Sequence, residues 1–324
     1  MGINKAATHQ LPFFMLCRWL MMEVVNIEKL ESLEEKFAIA IGFFDGVHLG
    51  HQKVIDHAVR YAKENGVKSV VMTFDRSPKV VLGSAESEGY LTPIDEKLRI
   101  LEEMGVDYTL VLKFDVSFLN LSAAAFIDQY LLKIGVCYVS VGFDFRFGRG
   151  GAEDAAFLLR YGEFKVNVSS PVLITGTKVS TTRIKKCLKL GSLDLVNQML
   201  GRNYSVSGEI VYGQQLGRQI GFPTVNLKLD EDYLFSLRGV YATVSHINGV
   251  RYVGMTNVGY NPTVSSINDL SVETHIFNFD EDVYGKQLRV EFIRKIRDES
   301  KFNGIDALVA QLEKDKMVVK SLLS

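Results

Sequence analysis

The sequence predicts an α/β domain built on a parallel sheet, followed by a small antiparallel β-barrel and a closing C-terminal helix. Three observations carry this. In the first half, short apolar runs alternate with amphipathic stretches of helical length, the pattern of βαβ crossovers. In the second half, alternating runs separated by turn residues follow one another, as in a small antiparallel barrel. The stretch "GIDALVAQLEKDKMVVKSLL" near the end then reads as a helix. With 324 residues the chain has length for about two domains.

Taken in order, "LPFFMLCRWLMMEVV" is apolar, but Arg18 interrupts it and Glu23 closes it. It is too short to span a bilayer, and although Lys5 and His9 precede it, it lacks a small-residue cleavage site. The expectation is an upstream extension, with structure beginning near Met22. "KFAIAIGFF" reads as a buried strand and "QKVIDHAVRYAKENG" as an amphipathic helix ending at Gly66. "VKSVVMTFD" is a strand, "PIDEKLRILEEMG" a helix and "DYTLVLKF" a strand. A helix in "SAAAFIDQYLLKIG" and a strand in "VCYVSVGFDF" complete the alternation. Ligands of such sheets sit at the carboxyl ends of the strands, where "GFFDGVHLGH", "TFDRSP" and "GFDFRFGRGG" fall.

After residue 180 the pattern changes. "STTRIKKCLKLG" and "SLDLVNQMLG" read as two short helices. Strand-like runs follow in "YSVSGEIVYG", "GVYATVSHINGVRYVGMTNVG", "SVETHIFNFD" and "KQLRVEFIRKIR", with Asn248–Gly249 a strong hairpin signal. The expected domains are 22–186 and 187–324.

Composition narrows the function. The chain is 47% hydrophobic and 23% charged, with formal net charge −1. A pI near 6.6 gives no nucleic-acid footprint and no basic membrane face, although acidic small molecules can bind through local clusters. Cys17, Cys137 and Cys187 are odd in number, far apart and without metal spacing, which favours a reducing, cytoplasmic setting. No CxxC or HExxH pattern occurs, so a structural zinc site is not expected.

The segment "IGFFDGVHLGHQKVI" places Asp45, His48 and His51 among Gly42, Gly46 and Gly50 between a strand and a helix. A glycine-rich strand-to-helix turn presents backbone N–H groups and the positive helix end to an anion. The spacing matches neither GxxxxGK[ST] nor GxGxxG. Two histidines spaced HxxH reach a phosphate from the first helical turn and donate to charge developing on it. Two satisfied turn histidines, or metal ligation lacking an evident third ligand, are the alternatives.

The spacing G-V-H-x-G-H resembles the HxGH signature of the nucleotidyltransferase superfamily. More specifically, "GFFDGVHLGHQKVI", "VGFDFRFGRGG" and "VSTTRIKKCL" resemble the adenylyltransferase signatures of the bacterial bifunctional riboflavin kinase/FMN adenylyltransferase (FAD synthetase) family. "GRQIGFPTVNL", "GVYA", "GMTNVGYNPTV", "VETHIFNFDEDVYG" and "KFNGIDALVAQLEKD" resemble its flavokinase motifs, in the family's order. The likeness covers essentially residues 22–320.

The resemblance implies a nucleotidyltransferase-type, Rossmann-like sheet domain followed by a flavokinase barrel. The first adenylylates FMN to FAD with release of pyrophosphate, and the second phosphorylates riboflavin to FMN with ATP and Mg²⁺. Riboflavin, FMN and ATP are then the small-molecule partners, with neither nucleic acid nor membrane; an oligomer is not inferable. His48 and His51 would hold ATP phosphates, with Gly42, Asp45, Gly46 and Gly50 in the same turn. Thr181, Thr182, Arg183 and Lys185 would close over them, and Asp144 would lie where the family binds nucleotide and metal. Three features depart from the pattern: "TFDRSP" carries Arg76 and Ser77 where the family has a histidine, Lys185 replaces an arginine, and "GRGGAED" is looser than the usual glycine-basic run. In the kinase half, Glu273 matches the catalytic glutamate that accepts the riboflavin hydroxyl proton. Thr224 and Asn226 match the Mg²⁺ and phosphate ligands, and Gly221 and Pro223 of the same motif fall among the ATP- and phosphate-binding residues. A kinase with a weakened adenylyltransferase domain, and a flavin-binding regulator without turnover, stand as the other readings.

Overall fold

The computed structural model describes residues 22–77, 89–213, 216–229, 233–260 and 270–323. The first 21 residues and Asn261–Val264 of one flavokinase motif lie outside them. Among the described residues, 22–43, 53–77 and 98–170 form one compact unit and 44–52, 89–97 and 171–323 the other.

The first unit is organised on a parallel sheet. Its elements, with Leu49–Gln52 of α2 and Ile94–Lys97 of α3 counted in the second unit, run β1 (Glu23–Val25), α1 (Ile27–Glu31), β2 (Phe37–Ile41), α2 (Leu49–Asn65), β3 (Lys68–Phe74), α3 (Ile94–Glu103), β4 (Tyr108–Leu112), α4 (Val116–Leu119), α5 (Ala123–Ile127), β5 (Val136–Gly142), β6 (Arg146–Phe147), β7 (Glu153–Asp154), α6 (Ala155–Tyr161) and β8 (Lys165–Ser169). Strand order is β1-β4-β3-β2-β5-β8, every neighbour parallel. All five residues of β2 are buried, as a strand covered on both faces requires. Phe37, Ile39 and Ile41 share a core with Val70, Met72, Leu110, Val139 and Val141. Side chains of Asn26, Asp115, Ser122 and Asp154 cap α1, α4, α5 and α6 by accepting first-turn N–H groups. The helix expected in "SAAAFIDQYLLKIG" is α5 followed by a π-helical turn over Asp128–Leu132. The chain leaves β2 for β3 on one side, while β5 pairs on the other. That reversal of strand order is the switch point at which open α/β sheets bind ligands.

The second unit comprises β9 (Leu173–Ile174), β10 (Thr177–Lys178), α7 (Thr181–Lys189), α8 (Leu193–Leu200), β11 (Tyr204–Val211), α9 (Leu216–Gln219), β12 (Val225–Leu229), β13 (Gly239–Ile247), β14 (Val250–Tyr260), β15 (Leu270–Ile276), β16 (Gln287–Arg297) and α10 (Ile305–Leu323). Six of these strands close a barrel in the order β11-β12-β15-β14-β13-β16. Asn248 and Gly249 both take positive φ, 51° and 78°, which the two-residue β13–β14 turn requires.

Alternation divides the barrel wall. Tyr204, Val206, Val258, Val272, Val290 and Phe292 pack in one core, where the hydroxyls of Thr243, Thr256 and Thr274 form a chain at 2.8 Å per link. Ala242 and Met255 belong to the opposite face and pack with Phe222, Phe277 and Val319 of α10. Among the described residues, no helix is long and apolar enough to cross a membrane.

Candidate functional site

Between β2 and α2 the backbone takes an unusual path: Phe44, Gly46 and Val47 all have positive φ, at 54°, 86° and 37°. Gly46 has no room for a side chain, since a Cβ there would stand 2.9 Å from Leu91 Cδ1. Its N–H donates to Thr92 Oγ1 at 2.8 Å. The turn delivers His48 and His51 to the start of α2 with their rings stacked, centroids 3.6 Å apart and 19° between planes. The His51 backbone N–H donates to His48 Nδ1 at 3.3 Å. A backbone N–H only donates, so the proton of neutral His48 is on Nε2. Phe44 lies edge-on to His51 at 5.3 Å, and His51 Nδ1 is buried without a hydrogen-bond partner. Burial, with the charges of His48, Lys97, Arg202 and Lys178, holds His51 well below the usual imidazole pKa.

Asp45 is 4% exposed and acts as an anchor. Its Oδ1 accepts the Leu91 and Thr92 N–H groups at 2.8 and 3.2 Å, and its Oδ2 lies 3.5 Å from Lys185 Nζ. Its backbone carbonyl accepts from Thr181 Oγ1 at 3.0 Å. Burial raises its pKa, opposed by Lys185, Lys97 and the two backbone donors. Burial also brings the Lys97 ammonium down to about 8, with Asp45 opposing. Neighbouring Glu96 is buried too, accepting from Ser205 Oγ at 2.7 Å.

The structure thus brings Asp45, Gly46, His48, Gly50, His51, Thr181 and Lys185 into one unit. Lys185 reaches inward, donating to the Gly89 carbonyl at 2.6 Å as well as meeting Asp45. Arg183 is committed to the β9–β10 turn: Nη1 donates to the carbonyls of Ile174, Thr177 and Lys178, and Nη2 to Thr175 Oγ1. Thr182 is exposed on α7. In the other unit, the Gly42 N–H donates to the Met72 carbonyl, and Asp144 is exposed just after β5. Arg76 is spent partly on its neighbour Asp75, whose other oxygen accepts the Phe114 N–H.

The barrel carries a separate constellation. Glu273 on β15 pairs in register with Asn226 on β12 and with Asn257 on β14, so a carboxylate stands between two amides. Ser271 Oγ donates to Glu273 Oε1 at 3.0 Å. His275, on the same strand face, makes a 2.8 Å hydrogen bond between Nδ1 and the Pro223 carbonyl, which fixes the turn before Thr224. Because a carbonyl only accepts, Nδ1 carries the proton. Burial lowers the His275 pKa. Glu273, Asn257 and His275 line a cavity of about 320 Å³ that also includes Thr224, Met255, Arg297, Phe302 and Leu312.

Glycines make the approach to Asn226 and Thr224 possible. A Cβ on Gly213 would lie 2.0 Å from Asn226 Nδ2, and one on Gly217 would lie 2.2 Å from the Phe222 carbonyl. Gly221, at φ 82°, turns the chain into the Phe222–Asn226 run. Asn257, Lys97, Glu96 and Arg202 are site residues that sequence reasoning missed. Alternation along β14 puts Asn257 in phase with Met255, a signal that was available; nothing local marks the other three.

Two family models match this chain, FAD synthetase over residues 30–183 and riboflavin kinase over residues 200–323. The bifunctional riboflavin kinase/FMN adenylyltransferase of Listeria monocytogenes is 39% identical over 289 residues, 88% of this chain and 92% of the relative. The enzyme of the same name from Bacillus subtilis is 38% identical, over 89% of this chain and 92% of its own. The chain belongs to the bifunctional riboflavin kinase/FMN adenylyltransferase family. A crystal structure titled as a macrolide-efflux protein from Streptococcus pneumoniae shares the family chain's fold, with TM-score 0.82 and 30% identity, covering 92% of this chain and 99% of that one. The sheet of the first unit and the closed barrel of the second agree with the fold class that the sequence predicts.

Proposed function

We propose that this chain makes FMN from riboflavin and ATP at the barrel cavity, and FAD from FMN and ATP at the histidine turn. The observation that carries the reading is that the two family matches tile the chain in order, each over the segment that holds the corresponding constellation. We assign adenylyl transfer to 22–186 and riboflavin phosphorylation to 187–324, in a cytoplasmic protein.

In the barrel, Glu273 accepts the proton of the riboflavin 5′-hydroxyl as its oxygen attacks the γ-phosphorus of ATP, and ADP leaves. General-base help of this kind contributes roughly 10²–10⁴-fold. Thr224 and Asn226 occupy alternate positions around the start of β12 and supply a hydroxyl and an amide oxygen. Such neutral oxygen donors fit Mg²⁺, which keeps several waters and binds mostly through substrate phosphates. With no side chain of their own, Gly213 and Gly217 let the Asn226 amide and the Phe222 carbonyl come this close. When bound, the ion neutralises charge between the phosphates. Among the described residues, no group of three or more His, Cys, Asp or Glu is placed to hold a metal.

At the histidine turn the nucleophile is the FMN phosphate, already ionised at neutral pH, so no strong base is needed. It attacks the α-phosphorus of ATP and pyrophosphate leaves. The protein's work is positioning and charge stabilisation. His48 presents its Nε2–H as a donor, and the first turn of α2 offers N–H groups without helical partners. Gly42, Asp45, Gly46 and Gly50 shape this turn, while Thr181, Thr182, Arg183, Lys185 and Asp144 are assigned to the nucleotide side.

Product analysis tests both halves. Purified protein, ATP and Mg²⁺ are incubated with riboflavin or with FMN, each oxidised or reduced, and separated chromatographically. FMN from riboflavin and FAD from FMN are expected. FMN without FAD would leave a kinase with an inactive partner domain; neither product from folded protein would sink the enzyme reading.

A further inference from the structure

Helix α8 ends at Leu200, and Gly201 closes it in the left-handed region at φ 68°. There it meets the histidine turn closely. A Cβ on Gly201 would lie 2.5 Å from Leu49 Cδ2, on the first residue of α2. Two donors and three carbonyls interlock at this contact. Gln52 Nε2 donates to the carbonyls of Val47 and Leu200 at 2.8 and 2.7 Å. Arg202 Nη1 donates to the same two carbonyls at 2.9 and 3.3 Å, and its Nη2 donates to the Gly46 carbonyl at 2.7 Å.

Gly46 and Val47 directly precede His48. Val47 is β-branched and holds φ 37°, a conformation such residues avoid and keep only where the surroundings impose it. The Arg202 fork grips two successive carbonyls at that strained point. Lysine, a point charge without a planar fork, cannot reproduce this. Arg202 also belongs to the segment matched by the riboflavin kinase model, outside the FAD synthetase match.

We propose that Arg202 is a positioning residue for adenylyl transfer: the kinase segment supplies the clamp that fixes the turn aiming His48 and His51. The inference rests on the reading that this turn carries FAD formation. It makes residues 200–202 a structural part of the first reaction, so the two activities share more than a polypeptide. Charge gives a second signature. His48, Lys97, Lys178 and Arg202 are the charged or titratable groups acting on His51, so removing the Arg202 cation raises its affinity for a proton.

The test compares full-length native protein with Arg202→Met and Arg202→Lys, measuring both reactions separately. Arg202→Met should lower kcat for FAD formation by about ten- to a hundredfold, the scale of a small misplacement at a reacting centre. Its FMN formation from riboflavin should stay at the native rate. The pH dependence of its FAD formation should move to higher pH, whereas Arg202→Lys should keep the native pH dependence with a smaller loss of kcat. Native FAD formation in Arg202→Met overturns the proposal. If Arg202→Met fails to fold, Arg202→Lys decides: selective loss of FAD formation supports the clamp, and a native rate or equal loss of both activities overturns it. Native protein that makes no FAD would fail the underlying reading instead.

Discussion

His48 Nδ1 accepts the backbone N–H of His51 at 3.3 Å while the two rings stack at 3.6 Å. Two rings so close cannot both carry charge cheaply, and Lys97, Lys178 and Arg202 add to the cost. His51, held well below the usual imidazole pKa by burial first, is therefore the neutral ring at the helix start. Replacing His51 by Ala should reduce FAD formation by roughly 10²–10³-fold, the scale of removing one preorganised donor. FMN formation should be unaffected. Equal loss of both activities would show a folding defect and remove the assignment.

Buried histidines, one in each site, set the acid limit of stability. His51 and His275 both have proton affinities depressed by burial, below the ordinary 6.5. Below about that pH the unfolded chain takes up protons that the folded chain resists, so stability is full above it and falls as pH drops. The melting temperature should be lower near pH 5.5 than near pH 7.5, and His51→Gln should flatten the difference. A melting temperature that rises toward pH 5.5 would contradict the sign.

Glu273 stands between Asn226 and Asn257 in register on adjacent strands. Glu273→Gln preserves shape and hydrogen bonding but removes the base. FMN formation should fall by roughly 10²–10⁴-fold, with riboflavin binding and FAD formation from FMN retained. Fluorescence titration of riboflavin beside a coupled ADP assay separates the two. Unchanged turnover would take the base role from Glu273.

The parallel sheet, the barrel and the terminal helix were legible because their patterns are local: period-two runs, helical amphipathicity and the Asn248–Gly249 turn. Strands β1 and β8 were not read. Strand β12 was hidden inside "GFPTVNL", a stretch that gave a motif rather than an alternation. Within the site, residue identities were legible from motif position, but their tasks were not. Arg183 looks like a free phosphate fork in sequence, yet in the fold it serves three carbonyls of a turn a few residues upstream. Lys185 meets the Asp45 carboxylate, Thr181 the Asp45 carbonyl and Arg202 the Gly46 carbonyl, each across more than a hundred residues, which no sequence window spans.

Lys185 is where this chain departs from the family's arginine, and its ammonium is turned toward Asp45 and the Gly89 carbonyl. Lys185→Met would leave the buried Asp45 carboxylate without its nearest cation. We expect destabilisation of about 3 kcal/mol, at the lower end for breaking a buried pair because Lys97 still acts on the carboxylate. Lys185→Arg should be milder. Urea denaturation with the barrel's kinase activity as a second probe measures it; a change under about 0.5 kcal/mol would mean that the two backbone donors alone hold Asp45.

Arg297 and Asp315 tie the terminal helix to the barrel beside the kinase cavity. Arg297 Nε meets both Asp315 oxygens at 2.9 and 3.2 Å, Gln311 Nε2 donates to Oδ1 at 2.9 Å, and Asp315 is 2% exposed. Arg297 also lies over the Phe302 ring and, with Leu308 and Leu312, lines the cavity. Asp315→Ala strips the charge that orients Arg297 and leaves a largely buried guanidinium unpaired, a loss of about 3 kcal/mol or more. Because Arg297 is in the cavity wall, the Michaelis constant for riboflavin should rise while FAD formation from FMN holds. Asp315→Asn keeps an acceptor for both partners and should lie between. If Asp315→Ala melts like the native protein and binds riboflavin as well, the helix is held by its apolar contacts with Ala242, Met255 and Phe277 instead of by this pair.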